Sequence, residues 1–173
     1  TPMHIYTDAG MYIVTLNASD AVGNWGTDTC LIFVNNIAPI ANAGIDKTVN
    51  EGALTTFDGS ASNDTTSDKP SLNYVWYFGD GNSTTGKIVN HAYGDDGVYD
   101  ATLVVTDDNG FVDSDTITVI VANVAPLIEP VPNQTSTQGV PFTMRINATD
   151  VSADILTFSD NATLFGIDPM TGI

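Results

Sequence analysis

The chain repeats itself along its length, and this repeat limits the possible fold more than any other feature of the sequence. His4-Ile-Tyr6 matches His91-Ala-Tyr93, a spacing of 87 residues. The match continues without a gap until Ala38-Pro39 meets Ala125-Pro126. A repeat of this length corresponds to one small folded module, so the sequence predicts an array of similar domains.

The position of the repeat within the chain predicts three consecutive units. The first residues correspond to the back half of a module, and the whole copy follows them. The remaining residues begin a further unit and stop within a sequence pattern. We therefore expect a C-terminal half-module at 1–38, a complete module at 39–125 and the N-terminal part of another domain at 126–173, with both ends cutting through domains.

Nearly all of the secondary-structure signals predict β-strands. Residues 99–105 and 117–121 alternate with a period of two, which places one side of each strand on a core. Between them, Asp107-Asp-Asn-Gly110 predicts a hairpin turn, because an Asn-Gly pair tolerates positive φ. The repeat predicts the same hairpin near the N-terminus. The other expected strands are 14–18, 30–34, 48–50, 54–57, 72–78 and 87–89.

The predicted fold class is all-β: tandem immunoglobulin-like β-sandwiches, one complete and two truncated. Short strands separated by regular turns are typical of two-sheet sandwiches, and no stretch of ten residues has helical periodicity. An isolated hairpin is marginally stable in water. We therefore expect the first hairpin either to be disordered or to pack against a later domain through its apolar side chains Ile13, Cys30, Ile32 and Val34.

The charge of the chain excludes several classes of partner. It contains 4 Lys and Arg against 21 Asp and Glu, a formal net charge of −17. Because the cations Lys47, Lys69, Lys87 and Arg145 are scattered singly, they form no basic stripe, and nucleic acid is excluded as a partner. Anionic membrane surfaces are disfavoured for the same reason, and direct membrane insertion is not expected. Of the acidic residues, 19 are Asp, which favours turns.

Cysteine and asparagine usage indicates where such a chain functions. The single cysteine, Cys30, cannot form an intrachain disulfide. It aligns with Ile117 on the inward side of a strand, which predicts a buried, inert thiol. Six Asn-X-Ser/Thr motifs favour an extracellular or cell-surface location and predict N-glycosylation. Their asparagines are Asn17, Asn63, Asn82, Asn133, Asn147 and Asn161.

The central module carries a series of aromatic and glycine motifs. They are Trp76-Tyr-Phe78-Gly-Asp80-Gly81, His91-Ala-Tyr93, Gly97-Val-Tyr99 and Leu103-Val-Val-Thr-Asp107. Together they closely resemble the polycystic-kidney-disease (PKD) domain, fully over 39–125 and as a C-terminal half over 1–38.

The residues of these motifs have a consistent physical interpretation. Tyr74, Trp76 and Phe78 share one face of a strand and are predicted to fill the centre of the sandwich. Gly79-Asp80-Gly81 then reverses the chain, with the carboxylate bonding turn amides. Tyr99 is predicted to form a tyrosine corner, in which its hydroxyl donates back to the backbone. An exposed tyrosine that stacks on a ligand is the alternative.

The third segment is similar to the start of a cadherin-like immunoglobulin domain of the dystroglycan type. The matching stretches are Pro132-Asn-Gln134, Gly139-Val-Pro-Phe142, Asn147-Ala-Thr-Asp150, Leu156-Thr-Phe-Ser159 and Leu164-Phe-Gly-Ile-Asp168-Pro-Met-Thr-Gly172. Such domains often carry a calcium-binding run of aspartates. Here Ser152 stands between Asp150 and Asp154, which argues against calcium at that place.

The resemblance to PKD modules of secreted collagenases implies a calcium site near the start of the central module. The matching places are Asn42 and Ser62-Asn63-Asp64, and the candidate ligands also include Asp68, which lies nearby, and Asp107 or Asp108 as further contributors. Calcium takes such hard oxygen ligands. The alternative is that these residues only form turns and a solvated surface, and the inserted Lys69 would compete with a cation. No other cofactor is required.

No arrangement of residues predicts catalysis. His4 and His91 occupy the same position of the repeat, each two residues before a tyrosine, so we expect them to have structural roles. The chain is therefore predicted to be non-catalytic, and the resemblance to PKD and cadherin-like modules implies an extracellular spacer or adhesive module of a surface-layer or adhesin-like protein. Its expected partners are neighbouring modules, other surface proteins and glycans. The alternative is an accessory substrate-binding module of a secreted protease or polysaccharide-degrading enzyme.

Overall fold

A computed structural model describes residues 3–151, 154–159 and 170 of the chain. The described residues form β-strands joined by turns, with one short 3-10 turn at Lys69–Ser71, so the predicted all-β class is confirmed. The strands are β1 (Gly10–Ser19), β2 (Trp25–Val34), β3 (Lys47–Asn50), β4 (Thr55–Asp58), β5 (Asn73–Tyr77), β6 (Ser83–Thr85), β7 (Ile88–His91), β8 (Gly97–Thr106), β9 (Val112–Ala122), β10 (Leu127–Ile128) and β11 (Ala148–Thr149).

The strands are arranged in one five-stranded sheet and three strand pairs. The five-stranded sheet has the order β3-β9-β8-β5-β6, and the pairs are β1-β2, β4-β7 and β10-β11. Strand β3 runs parallel to β9, whereas β5 is antiparallel to both β6 and β8. Because a parallel neighbour cannot be reached through a tight turn, β3 and β9 come from opposite ends of the module sequence.

The chain divides into two compact units. The first comprises Thr1–Asp46, Thr56–Asn90 and Asp100–Thr118, and the second comprises Lys47–Thr55, His91–Tyr99 and Val119–Ile173. The first unit contains the aromatic core, and the second contains the parallel β3–β9 pairing and the β10–β11 pair.

The aromatic core of the first unit confirms the predicted facing of β5. Trp76 is fully buried, and its ring centroid lies 5.4 Å from that of Phe57 on β4. The Phe78 ring lies 5.1 Å from Phe57 as well, and Tyr74 is also buried on this side. Tyr77 points the other way and is 51% exposed, as the period of two requires. The rings therefore fill the space between the β4–β7 pair and β5.

The turn after β5 depends on glycine. Gly79 has a φ of 84°, and a Cβ there would lie 2.8 Å from the backbone oxygen of Asp100. The Asp80 carboxylate accepts the backbone N–H and the side-chain amide of Asn82, each at 3.0 Å. Phe78 N donates to the Asn82 carbonyl at 3.0 Å and closes the turn. The predicted roles of Gly79 and Asp80 therefore match the geometry, and Gly81 also has positive φ.

The repeat is reproduced in the backbone and in its local hydrogen bonds. Tyr99 donates its hydroxyl proton to the Asp95 carbonyl at 3.1 Å, and Tyr12 donates to the Asp8 carbonyl at 2.9 Å. The predicted tyrosine corner is thus present in both copies. The hairpin turns of the two copies also agree. Asp20 N donates to Asn24 O at 3.0 Å, and at the equivalent place Asp107 N donates to Phe111 O at 3.0 Å.

The two copies of the hairpin differ in burial, and this corrects the prediction for Cys30. Leu103 on β8 is fully buried, whereas its equivalent Leu16 on β1 is 70% exposed. Cys30 is likewise exposed, although its equivalent Ile117 is buried. The predicted buried thiol is therefore wrong, because β1 and β2 form a two-stranded sheet by themselves in the part of the chain that the structure describes.

The apolar face proposed for the first hairpin also needs correction. In the β1–β2 register, Ile13 pairs with Leu31, while Val14 pairs with Cys30. Residues that are directly opposite in an antiparallel pair share a face, and neighbours along a strand alternate. Ile13 therefore lies on the face opposite to Cys30, and Ile32 and Val34, which share the Cys30 face, are half-buried.

The central core makes a direct stability prediction. Replacing Trp76 with alanine should reduce the free energy of unfolding by about 3–5 kcal/mol, because it leaves a large cavity beside Phe57. The matched control is Tyr77→Ala on the exposed face of the same strand, which should cost much less. Urea unfolding of the full chain, followed by circular dichroism, measures both. A loss below about 1 kcal/mol for Trp76→Ala would contradict this packing.

Candidate metal centre

A buried glutamate lies at the end of β3, in the second unit. Glu51 N donates to the Ala122 carbonyl at 3.0 Å, which continues the pairing with β9 by one residue. Gly52 then adopts a φ of 70°, and its N–H donates to the Tyr93 carbonyl at 2.7 Å. This tight turn holds Glu51 where its side chain is only 3% exposed.

The carboxylate of Glu51 is incompletely satisfied. Its Oε1 atom accepts the backbone N–H of Val124 at 2.5 Å. With its amide in the orientation that suits its surroundings, Asn123 also donates to Oε1 at 3.3 Å and to Asp154 Oδ2 at 3.1 Å. Glu51 Oε2 is buried and has no hydrogen-bond donor. A buried acceptor without a partner destabilises the fold, and the cost increases when the group is charged.

Four further carboxylates surround Glu51. Asp95 and Asp96 lie in the exposed loop that leads into β8, and Asp150 and Asp154 lie beyond β10 and are half-buried. Among the described residues, carboxylate oxygens converge in two groups. The atoms of each group lie within 4.8 Å of one another: Glu51, Asp95 and Asp96 in one, and Glu51, Asp150 and Asp154 in the other. Glu51 belongs to both groups.

The electrostatics of Asp154 reflect this crowding. Its pKa is raised above the ordinary aspartate value, first by burial and then by the negative charges of Glu51, Asp150, Asp95 and Asp96. Removing a carboxylate from water and placing like charges near it both disfavour the ionised form. Ionising Asp154 therefore costs more free energy at this place than it would in water.

The residues predicted to bind calcium are placed mainly in turns. Asn42 Oδ1 accepts Gly44 N at 3.0 Å, and Asp68 Oδ2 accepts the Thr65 hydroxyl at 2.8 Å. Asp64 Oδ1 accepts Thr65 N at 2.7 Å, while its Oδ2 is buried without a hydrogen-bond partner. In the described part of the chain, neither group of converging carboxylates contains any residue of the predicted set, Asp64, Asp68, Asp107 or Asp108. Calcium binding at that place stays a prediction.

Asp107 connects the turn between β8 and β9 to the segment that follows β2. Its Oδ1 accepts the backbone N–H groups of Asn109 at 3.0 Å and Phe111 at 2.8 Å, and its Oδ2 accepts the Asn36 amide at 2.5 Å. Burial raises its pKa, but the hydrogen bonds from Asn36 and the turn amides outweigh burial, so the net pKa lies below the ordinary value. Asp108, the next residue, is exposed.

The remaining predicted positions lie mostly on the surface. The side chains of Asn17, Asn63, Asn82, Asn133 and Asn147 are exposed, while Asn161 lies outside the described residues. His91 packs edge-on against Tyr93 at 4.8 Å, and His4 packs in the same way against Tyr6 at 4.6 Å. This shared geometry agrees with a structural role for both histidines.

Sequence reasoning missed Glu51 as a candidate ligand. Comparison of the segments at the repeat spacing offers one signal. Gln138-Gly139 stands 87 residues after Glu51-Gly52, so the central module has a charged residue where the third segment has a neutral one of the same length. Gly139 also has positive φ, 80°, and Val140 N donates to the Thr137 carbonyl at 3.1 Å. The turn therefore forms around a neutral glutamine, and it does not require the carboxylate of Glu51.

The packed layers and the tyrosine corner define an immunoglobulin-like β-sandwich module. Residues 36–121 match the family model described as PKD domain. The chain therefore belongs to the PKD domain family, whose members are generally non-catalytic modules. Among the described residues, no helix has the length and apolar character needed to cross a membrane.

Solved structures of related domains show similarity as well. The PKD1 domain of Vibrio anguillarum Epp is 30% identical, with 50% of this chain and 96% of that domain covered and a TM-score of 0.42. A structure of carbohydrate-binding modules from the β-sandwich superfamily is 32% identical, with 50% of this chain and 35% of that chain covered and a TM-score of 0.43. Human CDH23 EC21-23, a cadherin, is 16% identical over 94% of this chain and 62% of its own, with a TM-score of 0.36.

The hydrogen bonds of Asp107 predict how stability depends on pH. Because its folded pKa is lowered, its contribution is present above the unfolded value of 3.8 and is lost as the pH falls through the folded pKa. Asp107→Asn should therefore weaken the loss of stability below about pH 4. The urea midpoint measured between pH 2 and 6 reports this, with Asp108→Asn as the control for charge. Equal acid sensitivity in Asp107→Asn and the unchanged chain would contradict the assignment.

Proposed function

We propose that this chain is a structural and adhesive spacer within an extracellular cell-surface protein, built from consecutive β-sandwich modules. The observation that carries the proposal is the structural repeat. The β1–β2 hairpin reproduces β8–β9 in strand length, in the tyrosine corner and in the aspartate turn. Repetition of one module along a chain is how proteins extend a surface over a distance without new folds.

The dimensions of the module suit this role. Strand β9 has 11 residues, which corresponds to about 36 Å at the usual rise of a strand. A module held together by a fully buried aromatic core changes little in length, because packed interiors have low compressibility. Each additional copy therefore adds a stiff segment of roughly constant length.

The surface of the chain also supports an extracellular location. A net charge of −17 keeps a repetitive array soluble and separates neighbouring copies. The exposed sequon asparagines, such as Asn82 in the turn after β5 and Asn133, are accessible for glycosylation. Contacts with neighbouring modules, other surface proteins or glycans would then occur through loops and exposed strand edges.

One observation favours the second candidate, an accessory substrate-binding module of a secreted hydrolase. Tyr77 presents its ring on the outer face of β5 and is 51% exposed, and Val75 beside it is half-buried. An exposed aromatic ring on a rigid strand is a suitable platform for a sugar or a peptide.

The location of the parent protein distinguishes the surface spacer from the accessory module of a secreted hydrolase. Antibodies raised against this chain should label intact cells of the producing organism and detect the antigen in the surface fraction. Proteolytic treatment of intact cells should remove the label, and an antibody against a cytoplasmic protein is the control. Recovery of the antigen only from the culture medium, in a protein that hydrolyses protein or polysaccharide, would contradict the spacer role and support the accessory role.

A further inference from the structure

We propose that Glu51, Asp95, Asp96, Asp150 and Asp154 form a calcium-binding centre in the second unit, in which Glu51 contributes to both carboxylate groups. This centre differs from the one that the sequence predicted around Asn42 and Asp64. The inference does not depend on the spacer role, because it concerns only the chemistry of these side chains.

The geometry of the carboxylates fits calcium. Calcium binds six to eight oxygens at about 2.3–2.6 Å, so two oxygens on the same ion lie at most about 5 Å apart. The oxygens of each group lie within 4.8 Å of one another, as ligands of a shared ion would. The two groups contain only carboxylate ligands, and an all-oxygen set suits a hard cation such as calcium, whereas zinc and copper sites usually include histidine or cysteine.

Glu51 distinguishes this cluster from an ordinary acidic surface. Exposed aspartates such as Asp95 and Asp96 need no ion, because water solvates them. Glu51 is 3% exposed, and its Oε2 atom is buried without a donor. A bound cation would satisfy that oxygen and would also cancel the repulsion among the surrounding carboxylates.

The repeat shows that the fold does not require these charges. The turn that holds Glu51 forms equally around Gln138, with the same glycine conformation at Gly139. In the first copy, Asp8-Ala9 stands where the central copy has Asp95-Asp96, and the tyrosine corner forms there as well. The corner therefore does not require the carboxylate of Asp96. The acidic side chains of the central copy therefore have a role other than shaping these turns.

Glu51 also supplies a carboxylate that the sequence around Asp150 lacks. Ser152 interrupts the local run of aspartates, so the segment alone offers too few carboxylates. Glu51 contributes the missing carboxylate from a distant part of the sequence, and Val151 lies beside Gly52, with its Cγ1 atom 3.7 Å from the position of a Cβ on that glycine. A shared ion would thus fix the segment after β11 to the end of β3.

The test compares calcium binding by the full chain and by matched variants. Isothermal titration of the EDTA-treated full chain with calcium chloride should give saturable binding. Glu51→Gln keeps the size of the side chain and an acceptor for Val124 N, and it should weaken calcium binding at least tenfold. Because Glu51 is buried, the exposed Asp96→Asn provides a second variant, and it should also weaken binding. Glu129→Gln, at the other glutamate of the chain, should leave binding unchanged.

The outcomes are distinct. Loss of binding in Glu51→Gln and Asp96→Asn, with a normal titration for Glu129→Gln, supports the centre. The proposal is overturned if the unchanged chain shows no calcium binding, or if both variants bind as the unchanged chain does. It is also overturned if binding is lost only in Asp64→Asn, because calcium would then occupy the site near the start of the module.

Discussion

The packing of Trp76 and Phe57 between β5 and β4 is the interaction on which the rest of the module depends. These rings, with Phe78, are buried between the two layers. Burial of aromatic side chains on this scale contributes more stabilisation than any single polar contact in the structure. The apolar side chains of β8 and β9 are buried in the same core, and this burial fixes which face of each strand points inward.

The first hairpin shows what happens to the same local structure without such a core. Its strands, its aspartate turn and its tyrosine corner agree with those of β8 and β9, yet Leu16 and Cys30 remain exposed. Local hydrogen bonds and turn residues therefore suffice to shape the hairpin. Burial depends on a second layer, and among the described residues β1 and β2 pair only with each other.

The same distinction explains which parts of the structure the sequence predicts. The long strands, the Gly79-Asp80-Gly81 turn and the Tyr99 corner are encoded locally, by alternation, by glycine and by short spacing, and all of them are present. Strand β6 was missed because its three residues are polar and exposed, so no alternation marks it. The burial of Cys30 was wrong because it depends on residues beyond the hairpin. Glu51 was missed because its partners are far away in sequence, and only the folded chain brings them together.

The carboxylate cluster connects the stability of the module to its surroundings. The carboxylates around Glu51 lie close enough to repel one another, and cations bound to the two groups would link the end of β3 to the loop before β8 and to the segment after β11. In a surface protein, such a link would make the stiffness of the array depend on extracellular calcium. The unit that carries the cluster also contains the segment that follows the PKD domain.

Hydrogen–deuterium exchange of the full chain, in calcium and in EDTA, measures this link most directly. We expect slower exchange in calcium for peptides that contain Glu51, Asp95-Asp96 and Asp150, and unchanged exchange in the β1–β2 hairpin. Protection should be strongest near the turn at Gly52, where backbone amides are held next to the ion. Identical exchange in both conditions, or protection confined to the loop that contains Asp64 and Asp68, would contradict it.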